Sequence, residues 1–344
     1  MSGSGRKLRN MAEFAAASGL SRPTVSKYFH DPRSVRDSTR MRIEAALERY
    51  EFRPNIYAVN QNRRQTKTIG IVVPYLADPF FSEIARTIER QCVEAGYRPL
   101  LFSANGDHEA EAEILDSLLA LKPAGALLAP HANSGDTSAL MAFSREVPTV
   151  LFDSKIDGVG EAFIGNDNAQ SVSAIVDYLC ETGSAPCFFE MPPINPNAGK
   201  RRAVYEAAMK RRDLEPMLVT VDGDSWNFEE IGYREGLHAL ERQKLPSDTV
   251  LCSNDRLAIG FLSAAYEKGL RVGKGSGFAL RVAGHDDNPY SRFTCPSLTT
   301  VRQNYEAIAG ASLGAVLDLI EAEEPTLAST ETLFDGTLIL RSSA

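Results

Sequence analysis

The sequence predicts a small all-α head joined to an α/β body of two doubly wound parallel-sheet lobes. Three observations carry this. Charge is split along the chain: residues 1–67 hold 14 Lys/Arg against 6 Asp/Glu, net +8, whereas the other 277 hold 23 against 39, net −16. The head is patterned as short helices interrupted by a glycine. From Thr68 onward, short β-branched runs alternate with amphipathic helical segments, the signature of parallel sheets covered by helices. The composition, 43% apolar and 24% charged, is that of a globular protein, and 344 residues exceed one ordinary domain.

Asn10 is placed to cap a helix running MAEFAAAS, with Met11, Phe14 and Ala15 apolar at helical spacing. Gly19 ends that helix, because glycine adopts the left-handed conformation of a tight turn at no steric cost. Ser21 caps a second helix, RPTVSKYF, in which Pro23 is harmless since the first turn needs no amide donor. Asp31-Pro32 closes it. A third helix, STRMRIEAALERYEF, is expected to be capped by Ser38 and to turn Met41, Ala45 and Leu47 towards a small core. Helix, glycine turn, helix is the arrangement that lays its second helix in the DNA major groove. A basic head on an acidic body fits the same polyanionic partner.

These segments resemble a known family. MAEFAAASGLSRPTVSKYF with STRMRIEAALERYEFRPN is similar to the N-terminal domain of the LacI-type (lactose/purine repressor-like) bacterial transcription regulators. RPNIYAVNQNRRQTKTIG resembles that family's hinge, written roughly Pro-Asn-x-x-Ala-x-x-Leu, and the resemblance extends over essentially the whole chain. It implies a helix-turn-helix DNA-binding domain over 1–53, a hinge over 54–67, and a periplasmic-binding-protein-like body. The N-terminal lobe would comprise 68–165 and 297–328, the C-terminal lobe 166–296 and 329–344. Arg22, Pro23 and Lys27 fall at base-reading positions; Arg and Lys donate to guanine O6 and N7, while Pro23 offers apolar contact alone. Ser26, Thr39 and Asn55 fall at phosphate- or backbone-contacting positions, and Met11, Ser21, Thr24 and Ala58 complete the DNA-facing set. Gln61 stands where the family has a leucine that wedges into the minor groove, which predicts less bending of the duplex.

In the body, IGIVVPYL, RPLLFSA, AGALLAP, VPTVLFD, EAFIGND, DTVLCSND and RVAGHDD read as buried strands. Ligands of such folds bind at the carboxyl ends of strands. Asp153, Asp167, Asn254, Asp255 and Asp286 stand there, although an Asp or Asn after a strand also caps the next helix. The resemblance places Asn254, Asp255 and Asp286 in an effector cleft, with the arginine of an Arg-x-x-x-aromatic motif. That arginine is taken as Arg201 in RRAVY, with Arg202 one register away. Phe80, Phe81 and Trp226 are candidates for an aromatic wall, each equally for the core and Phe81 more for the core. An arginine–aspartate pair beside a flat ring suits a sugar, and also a purine or an amino-acid conjugate.

The expectation is a cytoplasmic, homodimeric repressor that binds a near-palindromic operator under control of a small-molecule effector, a sugar or sugar derivative. The rival is a solute-binding receptor of the same two-lobed fold with no DNA role. MSGSGRKLRN lacks an apolar signal core, and no apolar run approaches membrane-spanning length. The five cysteines are scattered without metal-ligand spacing. GKGSGF precedes a strand instead of joining strand to helix, no Gly-x-Ser-x-Gly elbow or P-loop occurs, and the histidines show no metal spacing. No enzyme activity, metal or cofactor is therefore expected.

Overall fold

Asn10 caps the first helix as its sequence predicts: its side chain accepts the Glu13 amide at the start of α1 (Met11–Ser18). Gly19 follows at φ 65° and turns the chain into Ser21, whose hydroxyl accepts the Thr24 amide at the start of α2 (Arg22–His30). These elements belong to a computed structural model that describes residues 8, 10–30, 32–52, 66–131, 137–194, 196–241, 245–322 and 330–344. The chain divides into two units, Met1–Thr66 and Lys67–Ala344.

The third helix corrects the sequence reading twice. α3 (Asp37–Tyr50) starts after an extended Arg36, so Ser38 lies within the first turn and caps nothing. Asp37 supplies instead the negative charge that the helix N-terminus favours. Met41 is 67% exposed and Ala45 is exposed, whereas Ile43 and Ala46 are buried, with Leu47 and Tyr50 packed beside them. Positions 43, 46, 47 and 50 form the i, i+3, i+4, i+7 stripe that faces a core. That core is small, with Phe14 and Phe52 stacked at 4.6 Å over Val25 and Tyr28.

The body holds two parallel sheets. The first comprises β1 (Thr68–Val73), β2 (Arg98–Ser103), β3 (Gly125–Leu128), β4 (Thr149–Phe152), β5 (Ala162–Asn166) and β11 (Thr330–Phe334), in the order β11-β5-β4-β3-β1-β2. The helices between them are α4 (Pro79–Glu94), α5 (His108–Ala120) and α6 (Ser138–Glu146). The second sheet has the order β7-β6-β8-β9, from β6 (Cys187–Phe189), β7 (Leu218–Val219), β8 (Thr249–Cys252) and β9 (Arg281–Ala283). Its helices are α7 (Asn168–Thr182), α8 (Pro196–Arg211), α9 (Phe228–Glu241) and α10 (Asp255–Glu267). β10 (Thr300–Arg302) and β12 (Thr337–Ile339) pair antiparallel and join β9 through a bridge between Ala283 and Thr299.

Two expected lobe boundaries are thereby shifted. β11 pairs with β5 in the first sheet, although 329–344 was assigned to the C-terminal lobe. β10 sits beside β9 in the second, although 297–328 was assigned to the N-terminal lobe. Both moves pair strand edges that would otherwise stand open. The chain returns to the first lobe after Arg302, where α11 (Tyr305–Glu321) buries Ile308, Leu313 and Val316. It crosses again at Gly336, where any side chain would meet Val301 and Ser171 within 3 Å.

α9 and α10 cross almost backbone to backbone. A methyl on Gly260 would lie 2.0 Å from the Glu229 carbonyl, and one on Gly232 2.2 Å from that of Leu257. This closeness brings Glu229 and Arg256 side by side.

Candidate effector cleft and DNA-facing helix

On the head, Arg22, Pro23, Ser26 and Lys27 are all exposed and lie along one side of α2, opposite the buried Val25 and Tyr28. Ser21 and Thr24 share a hydroxyl contact of 2.7 Å at the helix start. Thr39 is half-buried in the first turn of α3, and Met11 packs partly against the core. Asn55, Ala58 and Gln61, the hinge candidates, lie outside the described residues.

In the body one cleft gathers most of the candidates. Phe80, Asp153, Arg201, Trp226, Asn254 and Asp286 line it, together with Asp78, Phe81, Met191, Asn197, Phe228 and Gln303, around a space of about 320 Å³ that includes its mouth. The lining residues stand at strand ends and helix starts of both lobes, as the doubly wound topology dictates.

Of the two adjacent arginines on α8, Arg201 is the one that lines the cleft. It is 5% exposed and donates to the Ser253 carbonyl (2.7 Å), Asp286 Oδ1 (2.8 Å) and Asn168 Oδ1 (3.2 Å). Arg202 instead points to Glu190 and Glu206 and is half exposed. Asp286 Oδ1 also meets His285 Nδ1 at 2.9 Å and accepts from Gln303 at 2.7 Å. Three groups therefore converge on one oxygen, and none of the described residues engages Oδ2. Burial alone would raise the Asp286 pKa, but Arg201, His285 and Gln303 together hold it below its ordinary value. His285 is itself depressed to about 4 by burial and the nearby Arg201, so it is neutral and passes its other nitrogen to Ser171 (3.0 Å). Asp286 has φ 116°, a conformation unusual for any residue but glycine and typical of functional positions.

The other carboxylate, Asp153, also has positive φ, 61°. Asn197 donates to it at 3.0 Å and Ser154 at 3.2 Å. Burial, the largest effect, lifts its pKa to about 6 despite Arg201. Asn197 accepts from Asn168 (3.0 Å), which closes a polar chain from Asp153 to Asp286 by way of Arg201. Asn254 caps α10 through the Leu257 amide and turns its nitrogen to Met191 sulfur. Trp226 stacks on Tyr75 at 5.7 Å and meets Phe81 and Phe228 at an angle. Its indole N–H is buried with no acceptor among the described residues.

Asp255 does not join this group. It is fully buried and accepts from Ser291, Thr300 and the Asn288 amide, pinning the loop after β9. Asp167 caps α7 and is likewise absent from the lining. Sequence reasoning missed Asp78, Asn197, Phe228, Met191 and Gln303. The strand-end rule reaches Gln303, just after β10, and Asp78, on the turn after β1. Nothing local marks Asn197, whose place depends on how α8 meets β4. Among the described residues no helix is long and apolar enough to cross a membrane, and no cluster has the makings of a metal site.

A helix-turn-helix head on a two-lobed body with a polar, aromatic-walled cleft defines a ligand-responsive DNA-binding regulator. The comparisons with known proteins give the family. Residues 10–55 match the lacI family of bacterial regulatory proteins, and 180–344 match the periplasmic binding protein-like domain. The chain is 28% identical to the ribose operon repressor of Escherichia coli K12 over 98% of its own length and 100% of that protein. It is 29% identical to the repressor PurR of Klebsiella pneumoniae strain 342, over 96% and 99%. Its fold matches a Lac repressor bound to ONPG with a TM-score of 0.82 at 24% identity, covering 98% and 100% of the two chains. The chain carries a lacI-family DNA-binding domain ahead of a periplasmic binding protein-like domain, the make-up of a DNA-binding transcription regulator controlled by a small-molecule effector.

Proposed function

We propose that a sugar or sugar derivative binds in the cleft and sets the hold of a homodimer on a near-palindromic operator, each head taking one half-site through Arg22 and Lys27. The observation that carries the effector class is the company of Arg201, Asp286, Asp153 and Asn254 with Phe80 and Trp226 in one small cleft. Carboxylates and a guanidinium bind vicinal hydroxyls, and aromatic rings cover the apolar face of a pyranose or furanose. An E. coli relative is a ribose operon repressor, and ribose has this chemistry. The sugar acts through its different affinity for the DNA-competent and DNA-incompetent arrangements of the lobes.

Thermal unfolding of the full chain against D-ribose, D-xylose, D-glucose, guanine and hypoxanthine tests the class. A true effector at 100 times its Kd stabilises by about 2.7 kcal/mol. Stabilisation by a purine alone would replace the sugar reading, and a flat response to every compound would end it.

Two further outcomes are expected. Sugar hydroxyls donate to Asp153, so binding favours its ionised form. Below about pH 6 a proton must leave first, and Kd is expected to weaken by up to about tenfold per pH unit as pH falls. Calorimetric titrations from pH 5 to 8 read this directly; a constant Kd would show that Asp153 is not an acceptor for the ligand. On the head, Arg22→Ala is expected to cost about 1 to 3 kcal/mol of discrimination at one base pair. Binding to a set of single-site operator variants measures it, and a uniform loss would mean a phosphate contact instead.

A further inference from the structure

Arg256 belongs to the second lobe, at the start of α10, yet it reaches the first. Its Nη1 donates to Asp78 Oδ2 at 3.1 Å, and its Nε and Nη2 form a bidentate pair with Glu229 at 2.7 and 2.6 Å. The guanidinium lies against Phe228 (5.1 Å) and Tyr75 (5.9 Å) and is 7% exposed with the rest of its residue. Asp78 is the N-cap of α4, where its Oδ1 accepts the Phe80 amide at 2.9 Å, and it lines the cleft. Each Asp78 oxygen thus carries one donor and keeps lone-pair capacity for another.

Planar, bidentate anchoring to Glu229 fixes the guanidinium, so the remaining edge offers Asp78 one donor in one place. Burial holds the Asp78 pKa above its ordinary value even with Arg256 beside it; the cation and the Phe80 amide oppose that rise, and without the cation burial and the like charge of Asp286 would raise it further. We propose that Arg256 is a positioning residue of the effector site: reaching across the lobe boundary, it fixes Asp78 as an ionised acceptor in the cleft wall and so selects a ligand with a hydroxyl donor at that end. The proposal rests on the cleft being the sugar site.

The chain's one tryptophan supplies a reporter that needs no ligand. Trp226, from the second lobe, touches Tyr75 and Phe81 of the first. The full chain is compared as wild type, R256K, R256Q, R256M and the double variant R256M/D78N, with emission followed from pH 5 to 9 and folding checked by circular dichroism. In R256M and R256Q, Asp78 is expected to titrate at a higher pH than in the wild type and R256K, adding a step to the emission profile. The double variant is expected to lose it. His131, which lies 6.2 Å from Trp226, and Glu111, which accepts its amide, are unchanged in all five proteins, so they do not mimic the difference. Should R256M not fold, the R256Q and R256K pair decides. A neutral variant with the wild-type profile, or a step that persists in the double variant, overturns the assignment.

Titration with D-ribose, D-xylose and D-glucose gives the second arm. The sugar that binds the wild type is expected to bind R256M and R256Q at least about tenfold more weakly, with the deficit growing as pH falls, and R256K with intermediate affinity, since lysine keeps the charge and loses the bidentate anchor. Equal affinity in R256Q overturns the proposal. If no sugar binds the wild type, the sugar reading fails while the emission profile still decides what Arg256 does to Asp78.

Discussion

Asp286→Asn is expected to weaken effector binding by about 2 to 5 kcal/mol, roughly 30- to 4000-fold, and to leave operator affinity within about twofold. The three groups around Asp286 all meet Oδ1, and Oδ2 is left for the ligand. An amide cannot serve both sides: if its oxygen takes the Arg201 and Gln303 donors, its NH₂ meets the donating hydroxyls of the ligand. Asparagine tolerates positive φ better than most residues, so the variant retains the local backbone. Operator affinity is spared because the base-reading candidates stand on a separate unit, the head. Calorimetry for the effector and a fluorescence titration for operator DNA read the two quantities. Loss of both together would assign Asp286 a structural role.

Arg201→Met is expected to cost about 3 to 5 kcal/mol of stability, the penalty for stranding one partner of a buried ion pair. The substitution leaves the Asp286 carboxylate without its cation and the Ser253 carbonyl and Asn168 oxygen without their donor. The sign of its pH dependence follows from Asp286. In the wild type that group is held below its ordinary value, so its contribution is present above the carboxylate range and is lost as pH falls through the lowered folded pKa. In the variant, burial unopposed by arginine raises the group, so folding favours its protonated form. The stability gap between the two proteins is therefore expected to be widest near pH 8 and to narrow towards pH 4 to 5. Urea midpoints across that range measure it. A gap that does not change with pH would mean that Arg201 acts by packing and not by charge.

The two arginines illustrate what can and cannot be read along a chain. Arg201 was marked by a short motif and left one register open; only its contacts with Asp286 and Ser253, and the exposure of Arg202, closed the choice. Arg256 carried no local signal at all, since its partners Asp78 and Glu229 lie 178 and 27 residues away. Asp255 shows the opposite case. It stands at a strand end like its neighbour Asn254, yet it turns inward to two donors of the loop after β9 and to Thr300 at the start of β10, because adjacent residues at a helix start leave the backbone in different directions.

By itself the sequence determined whatever depends on neighbours a few residues apart: the Asn10 and Ser21 caps, the glycine turn, the exposed side of α2 and the alternation of strand and helix. These follow from backbone sterics and from the periods of helix and strand, which act within one or two turns. The ends of strands, and hence Asp153, Asn254 and Asp286, were legible for the same reason. Only the tertiary structure decided that β11 returns to the first sheet, that Gln303 and Asn197 complete the cleft, and that an arginine from one lobe holds an aspartate of the other. Those outcomes depend on pairing strand edges and buried charges between segments far apart in the chain, and such pairings leave no period in the sequence.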